Sequence, residues 1–295
     1  MKIISTIFKL DNLMSILENA DGIIVGNSNF SARLTSSFSI EEINDLISKL
    51  NQLDKSIFLN VNQMFSDDQL DAVRKQFKSL NLHGLTGIVV ADLGVFRILK
   101  QQGLGHKVVY NPETLLTNYY DFNFLASEHV YGAYIAKEIT LADIMQILNK
   151  KSYKTFMVGH GHLNMFYSKR KLIDNFSKFI GTDNTFKNQQ NLTLTEEHRQ
   201  NLNYPVFEDE AGTHVFRPAV FETLSVVDQL ERQLDYLVVD TIFKDDDYAV
   251  KVLKMYHNRQ LDLKEKEQLE KDYHETWDDG FLYKKTIYKT RGQND

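Results

Sequence analysis

The sequence predicts a (β/α)8 TIM-type barrel with a hairpin inserted between its seventh and eighth units, and three observations predict it. From the first residue to about 180, short apolar, β-branched runs alternate with helix-period segments, seven times in succession. Those runs do not alternate polar with apolar, which is the pattern of parallel strands covered by helices on their outer face and packed on both. An eighth run, Tyr236-Leu-Val-Val-Asp240, is followed by another helical segment and completes a barrel of the usual size, about 250 residues. A doubly wound open sheet is the alternative. Its usual marker, G-x-G-x-x-G after the first strand, is missing, because Ile7 is followed by Phe-Lys-Leu-Asp.

Taken in order, a strand over 3–8 leads to a helix over 10–19, and a strand over 22–26 to a helix over 40–53. Ser39 caps that second helix, and Glu42, three residues on, completes a capping box. A strand over 56–61 precedes a helix over 67–80; 86–91 precedes 93–102, closed by Gly103; 107–110 precedes 115–126; 132–136 precedes 141–149. The seventh strand is 155–158, and the helix after the eighth strand spans 246–258. Residues 181–225 interrupt the rhythm: 181–191 is polar and turn-rich, and 204–207 with 213–216 form a hairpin around Glu208-Asp-Glu-Ala-Gly212. The chain therefore divides into seven units (1–180), an insertion (181–225), the eighth unit (226–260), and a charge-laced helix with an apolar and basic tail at 280–288 (261–295 together).

With 295 residues, 42% of them hydrophobic, the chain has ample material for one large core. No run approaches the roughly 20 apolar residues of a membrane span. The N-terminus meets Lys9 and Asp11 too soon for a signal peptide, so a cytoplasmic protein without a membrane partner is expected. The absence of cysteine excludes disulfides, thiolate zinc sites, a cysteine nucleophile and a cysteine-held iron–sulfur cluster. A formal charge of −6 argues against broad nucleic-acid affinity, but Lys169-Arg170-Lys171 and Lys284-Lys285 are local basic runs able to meet phosphate.

Barrel sites are built where strands end. If the seventh strand continues through Gly159-His-Gly-His162, His160 and His162 share a face, and with Glu138 or Asp240 they form a permissible metal arrangement. The competing reading has one histidine bonded to backbone and the other packed. Arg33, Lys137 and Arg170 suit a carboxylate or phosphate, or else pair with Glu138, Asp92 or Asp240. Asn27, Asn60, Asn62 and Asn111 either read a polar ligand or form turns. His160, Glu138 and Asp240 are thus candidate catalytic groups, and Arg33, Asn60, Asn62, Lys137 and Arg170 candidate substrate-binding groups. Peptide hydrolysis finds little support: Ser168 stands near His160 without a G-x-S-x-G turn and reads as a helix cap, and HExxH is absent. Glu208-Asp209-Glu210 reads as a solvated hairpin tip.

His160-Gly-x-Leu163 followed by Tyr167-Ser-x-Arg170 resembles the signature of peptidase family U32, roughly E-x-F-V-H-G-A-L-C-x-x-x-S-G-x-C. Asn164 and Lys171 stand where that pattern has cysteines, Lys169 replaces its second glycine, and Phe156 its opening glutamate. Further blocks resemble the family in order: Val25-Gly26, Phe30-Ser-Ala-Arg33, Asn60-Val-Asn62, Ala91-Asp-Leu-Gly94, Leu116-Thr-Asn118, Ala136-Lys-Glu138, and 205–214, whose match points to a role for the hairpin acids. Val239-Asp-Thr-Ile242 is similar to the family's I-E-G-R but keeps only the acid. The fourth cysteine of cluster-bearing members would fall near Glu222, and the third has no counterpart, so no iron–sulfur cluster and no other cofactor is expected. The resemblance implies a short, cysteine-free member acting in tRNA wobble-uridine hydroxylation to 5-hydroxyuridine. It implies as partners tRNA, a larger cysteine-bearing U32 paralogue and a small carboxylate metabolite such as prephenate. A collagenase-like peptidase and a noncatalytic subunit of a U32 heterodimer are the alternatives.

Overall fold

A computed structural model describes residues 1–284. Its strands are β1 (Lys2–Ser5), β2 (Gly22–Gly26), β3 (Ser56–Val61), β4 (Gly87–Val90), β5 (Val108–Tyr110), β6 (Gly132–Tyr134), β7 (Lys154–Ser168), β8 (Leu192–Glu196), β9 (Arg199–Asp209), β10 (Gly212–Glu222), β11 (Tyr236–Val239) and β12 (Trp277–Asp278). β1 to β7 pair in parallel in sequence order, and β11 pairs in parallel with both β7 and β1. That closes an eight-stranded parallel ring, the barrel the sequence predicts.

The helices are α1 (Leu13–Leu17), α2 (Ile40–Gln52), α3 (Asp67–Phe77), α4 (Leu93–Gln101), α5 (Tyr119–Asn123), α6 (Leu141–Lys150), α7 (Leu172–Phe179), α8 (Val227–Glu231), α9 (Asp246–His257) and α10 (Leu263–Asp272). The capping box holds: Ser39 Oγ accepts from the Glu42 N–H and the Glu42 carboxylate from the Ser39 N–H. Three helices are clearly shorter than the periodicity predicts, α3 among them, which ends at Phe77 and not at 80. The first opens as a 3₁₀ turn at Leu10–Asn12, and α5 starts late because the Asn118 side chain accepts from the N–H groups of Tyr120 and Asp121 and so fixes the helix start there.

Inside the ring, aromatic rings join the usual branched aliphatics. Phe156 and Tyr236 stack with centroids 4.4 Å apart, Phe58 meets both edge-on, and the hydroxyls of Tyr131 and Tyr236 lie 2.6 Å apart. These rings plug the barrel, while Ile24, Val89, Tyr134, Val158 and Val238 form a floor beneath its C-terminal mouth.

The seventh strand is the main departure from expectation. It runs to Ser168, well past the ring, and its outer half pairs antiparallel with β10, which continues the sheet through β9 to β8. The predicted hairpin is real but longer than 204–216, and β8 was not foreseen. Ser168 is not a helix cap: its Oγ accepts from the Arg170 N–H in a turn, and α7 begins four residues later. Of the closing segment 280–288, residues from 285 onward lie outside the described residues, Lys285 of the second basic run among them. No described helix is long and apolar enough to cross a membrane.

Candidate site at the mouth of the barrel

The C-terminal strand ends surround a cleft of ≈ 930 Å³, the solvent at its opening included. Arg33 reaches it from the loop after β2, Asn60 and Asn62 from the end of β3, Glu113 from the loop after β5, Lys137 from just beyond β6, and Asp240 from just beyond β11. Separate elements all round the ring thus deliver polar groups onto one apolar floor.

Glu113 is the electrostatic centre. One carboxylate oxygen pairs with the Arg33 guanidinium and the other with the Lys137 ammonium. Burial pushes its pKa up, but the two cations outweigh that and hold it at about 2. The pairing foreseen for Arg33 and Lys137 therefore exists with a different acid: not Glu138, Asp92 or Asp240, but a residue that sequence reading passed over. Its signal was position alone, in the loop after the fifth strand, two residues from Asn111, whose Oδ1 accepts the Glu113 N–H at 3.2 Å.

Asp240 behaves in the opposite sense. Burial raises its pKa, with the Glu113 charge adding to the rise, against the Ile242 N–H at 3.1 Å and the fields of Arg33 and Lys137. Two carboxyls of one cleft are thereby driven apart, one fixed as an anion and one eased toward its proton-carrying form, the arrangement from which acid–base roles are made. The Tyr134 hydroxyl, raised by burial beside these acids, stays protonated at the floor. Asn60 Oδ1 is buried and has no hydrogen-bond partner, an acceptor unmatched on the cleft wall. Asn62, by contrast, accepts the Ala32 N–H at 2.8 Å and holds the Arg33 loop in place.

That loop is held from the insertion as well. Asp209 Oδ2 accepts the Arg33 N–H at 2.8 Å, while its Oδ1 accepts from Ala211 and Gly212 and faces His214 Nε2 at 3.1 Å. Glu208 is fully buried and accepts the N–H groups of Ile173 and Asp174 at the start of α7. The hairpin acids are therefore not a solvated tip; only Glu210 is exposed, paired with Lys171 and Lys187.

His160, Glu138 and Arg170 lie away from the cleft lining. Gly159 is an extra residue in the β7–β11 register, so Val239 aligns with His160 and the imidazole turns outward among the helices. There His160 Nε2–H donates to the Tyr248 hydroxyl at 2.8 Å, since that hydroxyl itself donates to Glu275 Oε1 at 2.9 Å. Burial holds its pKa down at about 3. His162 does reach the cleft wall, with Nδ1–H donating to the Arg217 carbonyl at 2.9 Å and Nε2 3.7 Å from Glu275. Glu138 and Arg170 are exposed. Among the described residues, no group of three or more histidine or acidic side chains is arranged to hold a metal. Asn164, Lys171 and Glu222, at the places of the resemblance's cysteines, do not fit an iron–sulfur cluster. Asn164 bonds backbone carbonyls, Lys171 pairs with Glu210, and Glu222 accepts the Leu224 N–H.

Comparison with known proteins agrees with this architecture. The chain is 26% identical to tRNA hydroxylation protein P2 of Bacillus subtilis over 94% of its length and 96% of that protein's. It is 22% identical to tRNA hydroxylation protein P1 of the same organism, over 53% of this chain and 37% of that one. A shorter stretch, 28% of the chain, is 27% identical to 13% of a 23S rRNA 5-hydroxycytidine synthase of Escherichia coli. The solved structure of the U32 peptidase Mk0906 superposes with a TM-score of 0.51 at 13% identity, covering 81% of this chain and 92% of that one, a likeness of fold. The model of "Peptidase family U32" matches residues 9–291, nearly the whole sequence, and the chain belongs to that family.

Proposed function

We propose that this protein acts in RNA hydroxylation, on tRNA at the wobble uridine to give 5-hydroxyuridine, together with a larger U32 paralogue. The observation that carries the reading is the end-to-end similarity to a tRNA hydroxylation protein, which spans both chains and not one shared motif. The cleft is compatible with it. Arg33 and Lys137 form a fork that Glu113 occupies, and a small carboxylate metabolite such as prephenate would compete with Glu113 for the same two cations. Asp240 is the group best placed to exchange a proton with a bound ligand, and Asn60 Oδ1 would accept a donor from it. Hydrolysis of peptides has no comparable support. Ser168, the serine that follows the signature histidines in sequence, lies at the far end of β7 from them and is engaged in a backbone turn.

Mass spectrometry of tRNA nucleosides tests this, in cells lacking the gene, its larger paralogue or both, complemented with wild type or Lys137→Ala. The expected result is loss of 5-hydroxyuridine derivatives, restored by wild type and not by the variant. Unchanged nucleosides in all three strains would refute the tRNA reading. Full restoration by Lys137→Ala would refute the role of the cleft.

A further inference from the structure

We propose that the outer end of β7 and helix α7 form a docking platform for unpaired RNA, stacking bases on Phe166, Phe176 and Phe179 and meeting phosphates with Lys169 and Arg170. The inference deepens the tRNA reading and rests on it for the identity of the RNA, though not for binding itself.

Helix α7 is built with its apolar stripe facing out. Leu172, Phe176, Phe179 and Ile180 follow the i, i+4, i+7, i+8 spacing that normally faces a core, yet Phe176 is 61% and Phe179 88% exposed. Ser177 is the one residue the helix buries. Phe166 at 47% and Met165 at 51% extend the same kind of surface along β7. Exposed aromatics of this density mark an interaction surface. The helix is nonetheless held firmly, because the buried Glu208 carboxylate caps its first turn.

Charge identifies the partner. Residues 165–191 carry five Lys and Arg (169, 170, 171, 178, 187) against two acids (174, 183), so the segment is positive by three in a chain that is negative by six. Lys171 and Lys187 are occupied by Glu210, and Lys178 by Asp174. Lys169 and Arg170 form no ion pair among the described residues; Lys169 Nζ donates to Gln69 Oε1 at 3.3 Å, and its charge also reaches the exposed Asp68. A protein interface would have an apolar core depleted of charge. Cations interleaved with exposed rings fit a single strand instead, since every base has a face to stack and every nucleotide a phosphate. The platform also continues from the cleft: His162 to Phe166 is roughly 14 Å of strand at ~3.4 Å per residue, with Leu163 and Asn164 on the cleft wall between them.

The test is fluorescence anisotropy with the purified full chain, a labelled RNA hairpin carrying an unpaired loop, and a blunt RNA duplex of equal length. Phe176→Ser/Phe179→Ser and Lys169→Glu/Arg170→Glu are compared with wild type, after circular dichroism shows equal folding. Each pair of substitutions should weaken hairpin binding about tenfold or more; Phe176→Ser/Phe179→Ser should leave the duplex unaffected, while Lys169→Glu/Arg170→Glu should weaken the duplex as well. The charge reversal should also lower the salt slope by about 0.7 for each phosphate no longer neutralised. Equal affinities for wild type and variants, or binding by none of them, overturn the proposal. So does a change of oligomeric mass in Phe176→Ser/Phe179→Ser with RNA affinity intact, which would make the face a protein interface. If cells lacking the gene keep 5-hydroxyuridine while the platform binds loops, the tRNA reading falls and the platform stands. If the nucleoside is lost but the variants restore it and bind as wild type, the platform alone falls.

Discussion

Glu113 and Asp240 share one cleft and pull stability in opposite directions with pH. The folded-state pKa of Glu113 lies below its ordinary 4.5, at about 2, so its contribution is present above that ordinary value and lost as pH falls through the folded one. Glu113→Gln strands two cations that are 10% and 11% exposed, and should cost about 1–3 kcal/mol at neutral pH, less than a fully buried pair because Glu113 itself is 30% exposed. The variant should also show a shallower decline between about pH 5 and 2 in thermal melts. Asp240, raised by burial, favours folding only while protonated, so that contribution disappears as pH rises through its folded pKa. Asp240→Asn should therefore melt higher than wild type at neutral pH and, if the proposed function holds, fail to restore 5-hydroxyuridine in the complementation test; a variant that melts lower would show that burial does not strain this carboxylate. The sequence places Arg33, Lys137 and Asp240 at strand ends, where the cleft has them, but gives no sign of Glu113. A lone acid in a loop has no periodicity and no motif. Its meaning appears only when the closed ring brings it Arg33, 80 residues away in the chain, and Lys137, 24 residues away.

At the level of elements, the strands and helices were legible because burial on both faces writes apolar runs and amphipathic periods directly into sequence. The fate of β7 was not. Strict alternation would put Phe156, Val158, His160 and His162 on one face, and the extra Gly159 breaks that count, turning His160 away from the cleft. Gly161 then adopts φ +136°, where a Cβ would stand 2.3 Å from the Asp240 carbonyl oxygen. The glycine is thus required twice, for its conformation and for the close approach of β7 to the strand that carries the cleft acid. Gly161→Ala should destabilise the fold by about 2–4 kcal/mol and displace Asp240, so that the proposed activity, read by complementation, is lost even at temperatures where circular dichroism reports a folded protein. Retained activity in a normally melting variant would mean that the backbone here yields easily.

For the whole molecule, the question is what secures the segment after α9 to the barrel wall. Glu275 and Lys244 pair with side chains only 3% and 7% exposed, and the same carboxylate accepts from Tyr248 and Trp277 and faces His162. Burial raises the Glu275 pKa, but the His162 contact and Lys244 overcome it and hold the group at about 2. The sequence showed a charge-laced helix and a tail there, and no local pattern could show that a glutamate just past α10 closes a network with a strand far earlier in the chain. Since Trp277 also packs edge-on against His160 at 4.5 Å, the network ties α9, β7 and β12 into one cooperative wall. Removing one partner leaves a buried cation without a counter-charge, so Glu275→Ala should cost about 3–5 kcal/mol and lower Tm by on the order of 10 °C. Replacing both charges by apolar groups, Lys244→Met with Glu275→Leu, removes the stranded charge and should recover part of that loss. A double variant no more stable than Glu275→Ala would show that hydrogen bonds to Tyr248 and Trp277, and not the ion pair, fasten this segment.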